Sequence, residues 1–177
     1  MDAAVSGYLA DSTQRLQSMY GYLKSINLEG YLDALKLSPG IEEYATLETM
    51  EQLLSHARGR YQVVVFDTPP TGLTLRVLAL PRVSLLWGER LTSLRREILD
   101  RRQILKNIHG ERKYVVDGIA QTLPSDEKGD GVMGELRGYV DRMRWLTSLQ
   151  SDASQTRVMP VMNPDRLSLF ETQRALE

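Results

Sequence analysis

Residues 61 to 81 read YQVVVFDTPPTGLTLRVLALP, and the rest of the chain is organised around this stretch. The β-branched and aromatic run at residues 63–66 predicts a short strand that is buried on both faces. The strand ends at Asp67, and two prolines then prevent further strand pairing and an immediate helix. Beyond Gly72 the apolar residues recur at helical spacing. Because open α/β sheets bind ligands at the carboxyl ends of their strands, this corner is the candidate site.

The composition excludes several classes of protein. The chain has 177 residues with 22 basic and 23 acidic side chains, so no net charge drives it toward nucleic acid or an anionic membrane. It has no cysteine, which excludes disulfides, thiol nucleophiles and thiolate metal sites within these residues. No apolar run approaches the ~20 residues of a membrane span, and the first residues lack a signal-peptide pattern. We therefore expect a cytoplasmic protein.

Apolar side chains at three- and four-residue steps predict helices through most of the chain. Ser38 suits a helix start, Gly59 suits a helix end, and Pro81 is expected to separate two helices. Ser168 and Glu171 have the spacing of a capping box. The predicted helices are 3–25, 38–57, 73–80, 82–108, 132–150 and one that starts at Ser168. The acids of the second helix, Glu42, Glu43, Glu48 and Glu51, are interpreted as a solvated face.

Two features predict that the chain is part of something larger. Residues 156–163 form a second predicted strand, in which Pro160 favours an edge position or a strand end. A sheet of only two strands is marginal in water. The last predicted helix reaches residue 177 without a terminating residue. Both observations indicate a segment of a larger α/β domain.

Three stretches resemble one family of ATPases. FDTPPTGLTLRVLALP, at residues 66–81, resembles the second switch of the arsenical-pump-driving ATPase family, which also contains the tail-anchored-protein-targeting ATPases. SPGIEE, at residues 38–43, resembles the helix start upstream of that switch. VMNPDRLSLFET, at residues 161–172, resembles the strand and helix that follow the family's helical insert. The order of the three stretches also agrees.

The resemblance implies an α/β fold class. The chain would be a mostly helical fragment of a P-loop NTPase parallel-sheet domain, with about two parallel strands and a helical insert. Residues 1–83 and 156–177 would belong to the nucleotide-binding domain. Residues 84–155 would form the helical subdomain, with a polar, turn-rich loop at 124–131 that is expected to be mobile.

The same resemblance assigns roles at the corner. Asp67 would hold a water molecule bound to Mg²⁺, and Thr71 and Gly72 would lie near the terminal phosphate of ATP. Read from the residues alone, Asp67 could equally cap the following turn. Leu73 stands where the family usually has histidine, so the chain departs from the family pattern at this position.

ATP and Mg²⁺ are expected only in the full-length protein, because these residues contain no G-K-[ST] loop to hold the nucleotide. No catalytic residue is therefore assigned within the chain, and the chain alone is not expected to hydrolyse ATP.

The resemblance also implies partners. The full-length protein would form a homodimer, and in the targeting branch the helical subdomain offers an apolar groove to a client helix. A hydrophobic client helix or a membrane partner protein is therefore a possible partner, although ordinary core packing explains the same residues. Two alternatives stay open: a client-binding module, and a structural relative without catalysis. The candidate groove residues are Leu86, Leu94, Met133, Leu136 and Met143.

Overall fold

The computed structural model describes residues 2–19, 40–68, 71–110, 113–116 and 119–176. These residues are predominantly helical, as the sequence predicts. The helices are α1 (Asp2–Met19), α2 (Ile41–Ala57), α3 (Thr71–His109), α4 (Gly131–Ser151) and α5 (Arg166–Leu176), and strands β1 (Lys113–Val116) and β2 (Ile119–Thr122) lie between α3 and α4. No helix within the described ranges combines the length and the apolarity needed to span a bilayer.

The two expected parallel strands do not form in the part of the chain that the structure describes. Residues 63–68 and 156–163 carry no strand pairing, and the sheet that is present is the antiparallel hairpin of β1 and β2. Val65 and Val161 are 79% and 94% exposed. A buried strand depends on neighbouring strands for its hydrogen bonds and its apolar contacts, and the described residues supply none here. A parallel sheet therefore stays a prediction.

Helix α3 runs without interruption through Pro81, so the prediction of two helices at 73–80 and 82–108 was wrong. Proline removes one backbone donor and usually bends or breaks a helix. Here the Pro81 ring is buried, and so are Val77 and Ser84, one turn before it and one turn after it. Burial of this face offsets the lost hydrogen bond.

The helix ends differ in detail from the sequence prediction. Helix α2 begins at Ile41 behind Gly40, whose φ of 89° is the left-handed conformation that glycine tolerates. Gly59, with a φ of 76°, lies just beyond the end of α2, as predicted. Ser38 and residues 20–25, the predicted end of the first helix, lie outside the described residues.

The start of α5 is set by Asp165 rather than by the Ser168 capping box. One carboxylate oxygen of Asp165 accepts the Ser168 backbone N–H at 2.8 Å, and the other accepts the Ser168 hydroxyl at 2.9 Å. The helix consequently begins at Arg166, two residues earlier than predicted. Aspartate is a strong N-cap because its charged oxygens accept the unpaired N–H groups of the first turn.

The main core lies where α2, α3 and α4 meet. Leu47 of α2, Val77 of α3, and Met143 and Leu146 of α4 form its buried centre. A second cluster joins α1 to α2 through Val5, Leu9 and Ala45. Helix α2 is therefore packed against α1 and against the segment of α3 that directly follows the candidate corner.

Candidate functional site

The candidate corner is exposed at the N-terminal end of α3. Asp67 is exposed, and Gly72 is exposed as well: apart from its chain neighbours and the backbone of its own helix, no heavy atom lies within 4 Å of the position that a Cβ would occupy. Thr71 is the first residue of α3, and Pro69 and Pro70 lie outside the described residues. The first turn of a helix has unpaired N–H groups and a partial positive charge. A carboxylate and accessible backbone donors therefore occur together here.

Leu73 attaches this corner to the core. Its side chain is partly buried and packs against the cluster that contains Leu47 and Val77. Leucine is suited to this apolar environment. The position that carries histidine in the resembling family thus carries a packing residue in this chain.

Glu43 of α2 forms an ion pair near the start of α3. Its Oε1 lies 2.8 Å from Nε of Arg76, and its side chain is only 13% exposed. Further along α2, Glu51 Oε1 lies 3.4 Å from Nε of Arg142 on α4. The interpretation of the α2 acids as a solvated face was therefore wrong for these two. Sequence patterns did not identify either partner, because the partners are distant along the chain.

The donor set at the corner is compatible with Mg²⁺. Within the described ranges, no three histidine or carboxylate side chains gather into a potential metal cage. Magnesium is usually held by one or two carboxylates together with substrate phosphates and water, rather than by a cage made of protein alone. A single exposed carboxylate such as Asp67 fits that kind of site.

The predicted groove residues do not line one surface. Met133 and Met143 are buried, 0% and 4% exposed, and Leu136 is half-buried. Leu86 and Leu94 are 59% and 53% exposed. The two buried methionines lie on the packed face of α4, so these five residues do not form an open groove in this conformation.

A row of exposed apolar side chains does lie on α3. Its members recur at three- and four-residue steps and each is at least 45% exposed. The buried residues Ser84, Gly88 and Leu99 occupy another side of the same helix. We refer to the exposed set as the α3 stripe: Val83, Leu86, Trp87, Leu91 and Leu94.

The polar loop at 124–131 is tied to α3 by charged groups. Arg95 pairs with Asp130, Arg96 pairs with Glu127 at 2.7 Å, and Arg102 donates to the Pro124 carbonyl at 3.3 Å. The hydrogen bond from Arg96 holds the pKa of Glu127 below its usual range. Arg95 and Arg96 of α3 thus have acidic partners in this loop. The mobility of the loop stays a prediction.

Comparison with known proteins agrees with the resemblance. A family model described as anion-transporting ATPase matches residues 4–177. The chain is 29% identical over 155 residues to a "Putative arsenical pump-driving ATPase" of Chlorobaculum tepidum, covering 81% of this chain and 33% of that protein.

Two eukaryotic relatives are similar as well. ATPase GET3C of Arabidopsis thaliana is 29% identical over 155 residues, covering 87% of this chain and 36% of that protein. The ATPase ASNA1 homolog of Entamoeba histolytica is 28% identical over 186 residues, covering 98% of this chain and 48% of that protein. The chain therefore spans about a third to a half of the length of the curated relatives that it matches.

Proposed function

Because the chain belongs to the anion-transporting ATPase family, we propose that it is part of an ATP-hydrolysing, energy-transducing enzyme and carries the second switch of that enzyme. The observation that carries the proposal is the exposed corner itself. Asp67 precedes the N-terminus of the 39-residue helix α3, and Gly72 leaves the backbone there accessible.

The residues of the corner divide the proposed work. Asp67 would hold a water molecule bound to Mg²⁺, and Thr71 and Gly72 would lie beside the terminal phosphate. Gly72 has no side chain, so a phosphate oxygen can approach its backbone N–H. Leu73 anchors the turn to the core, and a displacement at the phosphate is thereby passed to α3 and α2. The bound Mg²⁺ would neutralise charge on the phosphates.

The test uses the protein encoded by the complete reading frame. We expect this frame to encode a G-K-[ST] loop upstream of the chain and the protein to hydrolyse ATP in a Mg²⁺-dependent manner. Asp67→Asn should lower kcat by about 100-fold, because an amide holds metal-bound water far less well than a carboxylate. Asp100→Asn, an exposed change within α3, is the matched control and should leave kcat unchanged.

Two results would contradict this proposal. One is a reading frame without a phosphate-binding loop. The other is a folded protein in which Asp67→Asn and the wild type hydrolyse ATP at the same rate, or not at all. A folded wild-type protein that does not hydrolyse ATP would favour the alternative of a structural relative that has lost catalysis.

The α3 stripe supports a second function, the binding of a hydrophobic client helix. Five large apolar side chains are exposed along one side of α3. A surface of this kind suits an amphipathic partner helix, whose apolar residues also recur at three- and four-residue steps. This stripe replaces the groove that the sequence predicted from Met133 and Met143. A membrane partner protein, the homodimer and the cytoplasmic location stay predictions.

A photocrosslinking experiment tests the second function. A photoreactive residue at position 94 of the complete protein should capture a hydrophobic helical peptide in the presence of ATP. The same residue at position 100, exposed on α3 away from the stripe, is the control. Equal capture at both positions, or none at position 94, would count against client binding.

A further inference from the structure

Two of the three sequence stretches that carry the family resemblance meet at one ion pair. Glu43 belongs to the SPGIEE stretch and to the first turn of α2, and Arg76 belongs to the switch stretch and to the second turn of α3. Oε1 of Glu43 lies 2.8 Å from Nε of Arg76. The pair therefore links the start of α2 to the helix that opens at the candidate corner.

Arg76 is placed to act on that corner. It follows Gly72 by four residues in the same helix, so the two positions share a face. Long side chains on a helix lean toward its N-terminus, which brings the base of the Arg76 side chain over the turn that contains Gly72 and Leu73. Glu43 therefore contacts α3 on the face of the helix that also carries Gly72.

The pair orients the helix more than it stabilises the fold. The Arg76 side chain is 66% exposed, and ion pairs with an exposed partner contribute little to stability. The Glu43 side chain is 13% exposed and lies in the first turn of α2, where the helix dipole favours a negative charge. Glu43 is therefore the more buried member of the pair, and Arg76 is the more exposed one.

The apolar contacts below the pair hold α3 against α2. Leu73 and Val77 of α3 pack into the cluster that contains Leu47 of α2. The hydrophobic effect depends mainly on the apolar area that is buried, and it holds the two helices together at this contact. The ion pair between Glu43 and Arg76 adds an attraction between charged groups at the end of this contact.

We propose that Glu43 and Arg76 are positioning residues, which set the orientation of the first turns of α3 and thereby the position of Asp67 to Gly72. The inference rests on the proposed function where it concerns ATP turnover. In the protein without nucleotide the pair also sets the orientation of α3 against α2, because this orientation requires no ATP.

The experiment uses the complete protein with Glu43→Gln, Arg76→Gln, Arg76→Lys and the control Glu51→Gln. The control removes the acid that pairs with Arg142 on α4, further along the same helix and away from the corner. Two quantities are measured: the steady-state constants for MgATP, and hydrogen exchange of the backbone amides of residues 73–78 without nucleotide.

We expect Glu43→Gln and Arg76→Gln each to lower kcat by about tenfold, since small misplacement of a reacting group has large kinetic effects. The KM for MgATP should change by less than about twofold, because neither side chain is proposed to contact the nucleotide. Amide exchange at 73–78 should be about threefold faster in both variants. Arg76→Lys should retain most of the wild-type kcat, because the pair rests on a single nitrogen–oxygen contact.

The thermal midpoint should fall by no more than about 2 °C in all four variants. Glu51→Gln should match the wild type in kcat and in exchange. The proposal is overturned if Glu43→Gln leaves kcat and exchange unchanged, or if Glu51→Gln reproduces its effects. A wild-type protein without ATP hydrolysis would instead refute the proposed function, and the exchange comparison would then decide whether the pair orients α3.

Discussion

Arg95 and Asp130, which are 35 positions apart in the chain, form an ion pair with two contacts between α3 and the start of α4. Nη2 of Arg95 lies 2.6 Å from Oδ2 of Asp130, and Nε lies 3.3 Å from Oδ1. The same Oδ1 accepts the Met133 backbone N–H at 2.6 Å, so Asp130 is also the N-cap of α4. The Asp130 side chain is fully buried. One carboxylate therefore starts α4 and attaches it to α3.

Removal of the Asp130 carboxylate should destabilise the fold substantially. Asp130→Ala deletes an N-cap and leaves the mostly buried Arg95 without its partner, so the free energy of unfolding should fall by about 2–4 kcal/mol. Urea denaturation measures the change. Asp141→Ala removes an exposed partner of Arg144 on α4 and should cost less than about 1 kcal/mol. A similar loss in both variants would contradict the prediction.

The contribution of Asp130 to stability should disappear in acid. Burial by itself raises the pKa of this carboxyl, but hydrogen bonds from Arg95 and the Met133 N–H, with the charges of Arg95 and Arg102, hold it below the usual range. The folded state therefore keeps the carboxylate ionised at a lower pH than the unfolded state does.

The stabilisation of the fold by the Asp130 carboxylate is complete above the ordinary aspartate pKa of about 3.9. It is lost as the pH falls through the lower pKa that Asp130 has in the folded state. Urea denaturation of the wild type and of Asp130→Asn between pH 7 and pH 3 tests this. The difference in the free energy of unfolding between the two proteins should be constant above about pH 5 and should become smaller in the acid range. A difference that grows as the pH falls would be the opposite result.

Gly88 allows α3 and α4 to approach closely. A Cβ at this position would lie 2.8 Å from Cγ2 of Val140 and 3.3 Å from Cδ1 of Tyr139. Gly88→Ala should therefore lower the free energy of unfolding by about 1–3 kcal/mol, because the two helices must separate or repack. Gly134→Ala, at an open position in α4, should instead raise it by about 0.5–1 kcal/mol. Effects of the same sign at both glycines would be inconsistent with this close approach.

Substitution of two leucines of α3, one buried and one exposed, distinguishes a role in core packing from a role in binding. Leu99 is 2% exposed, and Leu99→Ala should lower the free energy of unfolding by about 2–5 kcal/mol. Leu94 belongs to the α3 stripe, and Leu94→Ala should change stability by less than about 0.5 kcal/mol while weakening client-peptide binding. Thermal unfolding and peptide titration of the same two variants provide the comparison. Peptide binding that is unaffected by Leu94→Ala would remove the stripe as the binding surface.

Leu73 should not tolerate the histidine found in the resembling family. Leu73→His places a polar ring against the cluster of Leu47 and Val77 and should lower the free energy of unfolding by about 1–3 kcal/mol at neutral pH. Leu73→Met keeps the volume and the apolar character, so it should cost less than about 1.5 kcal/mol. Chemical denaturation distinguishes the two. A histidine variant as stable as the methionine variant would show that Leu73 is not held by the core.

Local patterns in the sequence predicted most helices and the family, and they failed where a partner lies far along the chain. The end of α2 at Gly59 was predicted correctly, because the cap is encoded by an adjacent glycine. The ion pairs Glu43–Arg76 and Arg95–Asp130 were missed, since nothing in a helical period states which residue of another helix is close. Burial also decided that Pro81 lies inside a helix, and burial is a property of the packed molecule.

The sequence by itself determined the helical periodicity, the absence of cysteine from these residues and the order of Asp67, Thr71 and Gly72 along the chain, because each of these depends on residues that are adjacent or identifiable by type alone. Only the tertiary structure decided how this corner is held. The packing of α2 against α3 brings Glu43 to Arg76 and places Leu73 in the core, and it leaves the α3 stripe exposed while Met133 and Met143 are buried. Such contacts depend on how two helices pack against each other, and the spacing of residues within one helix does not specify this packing.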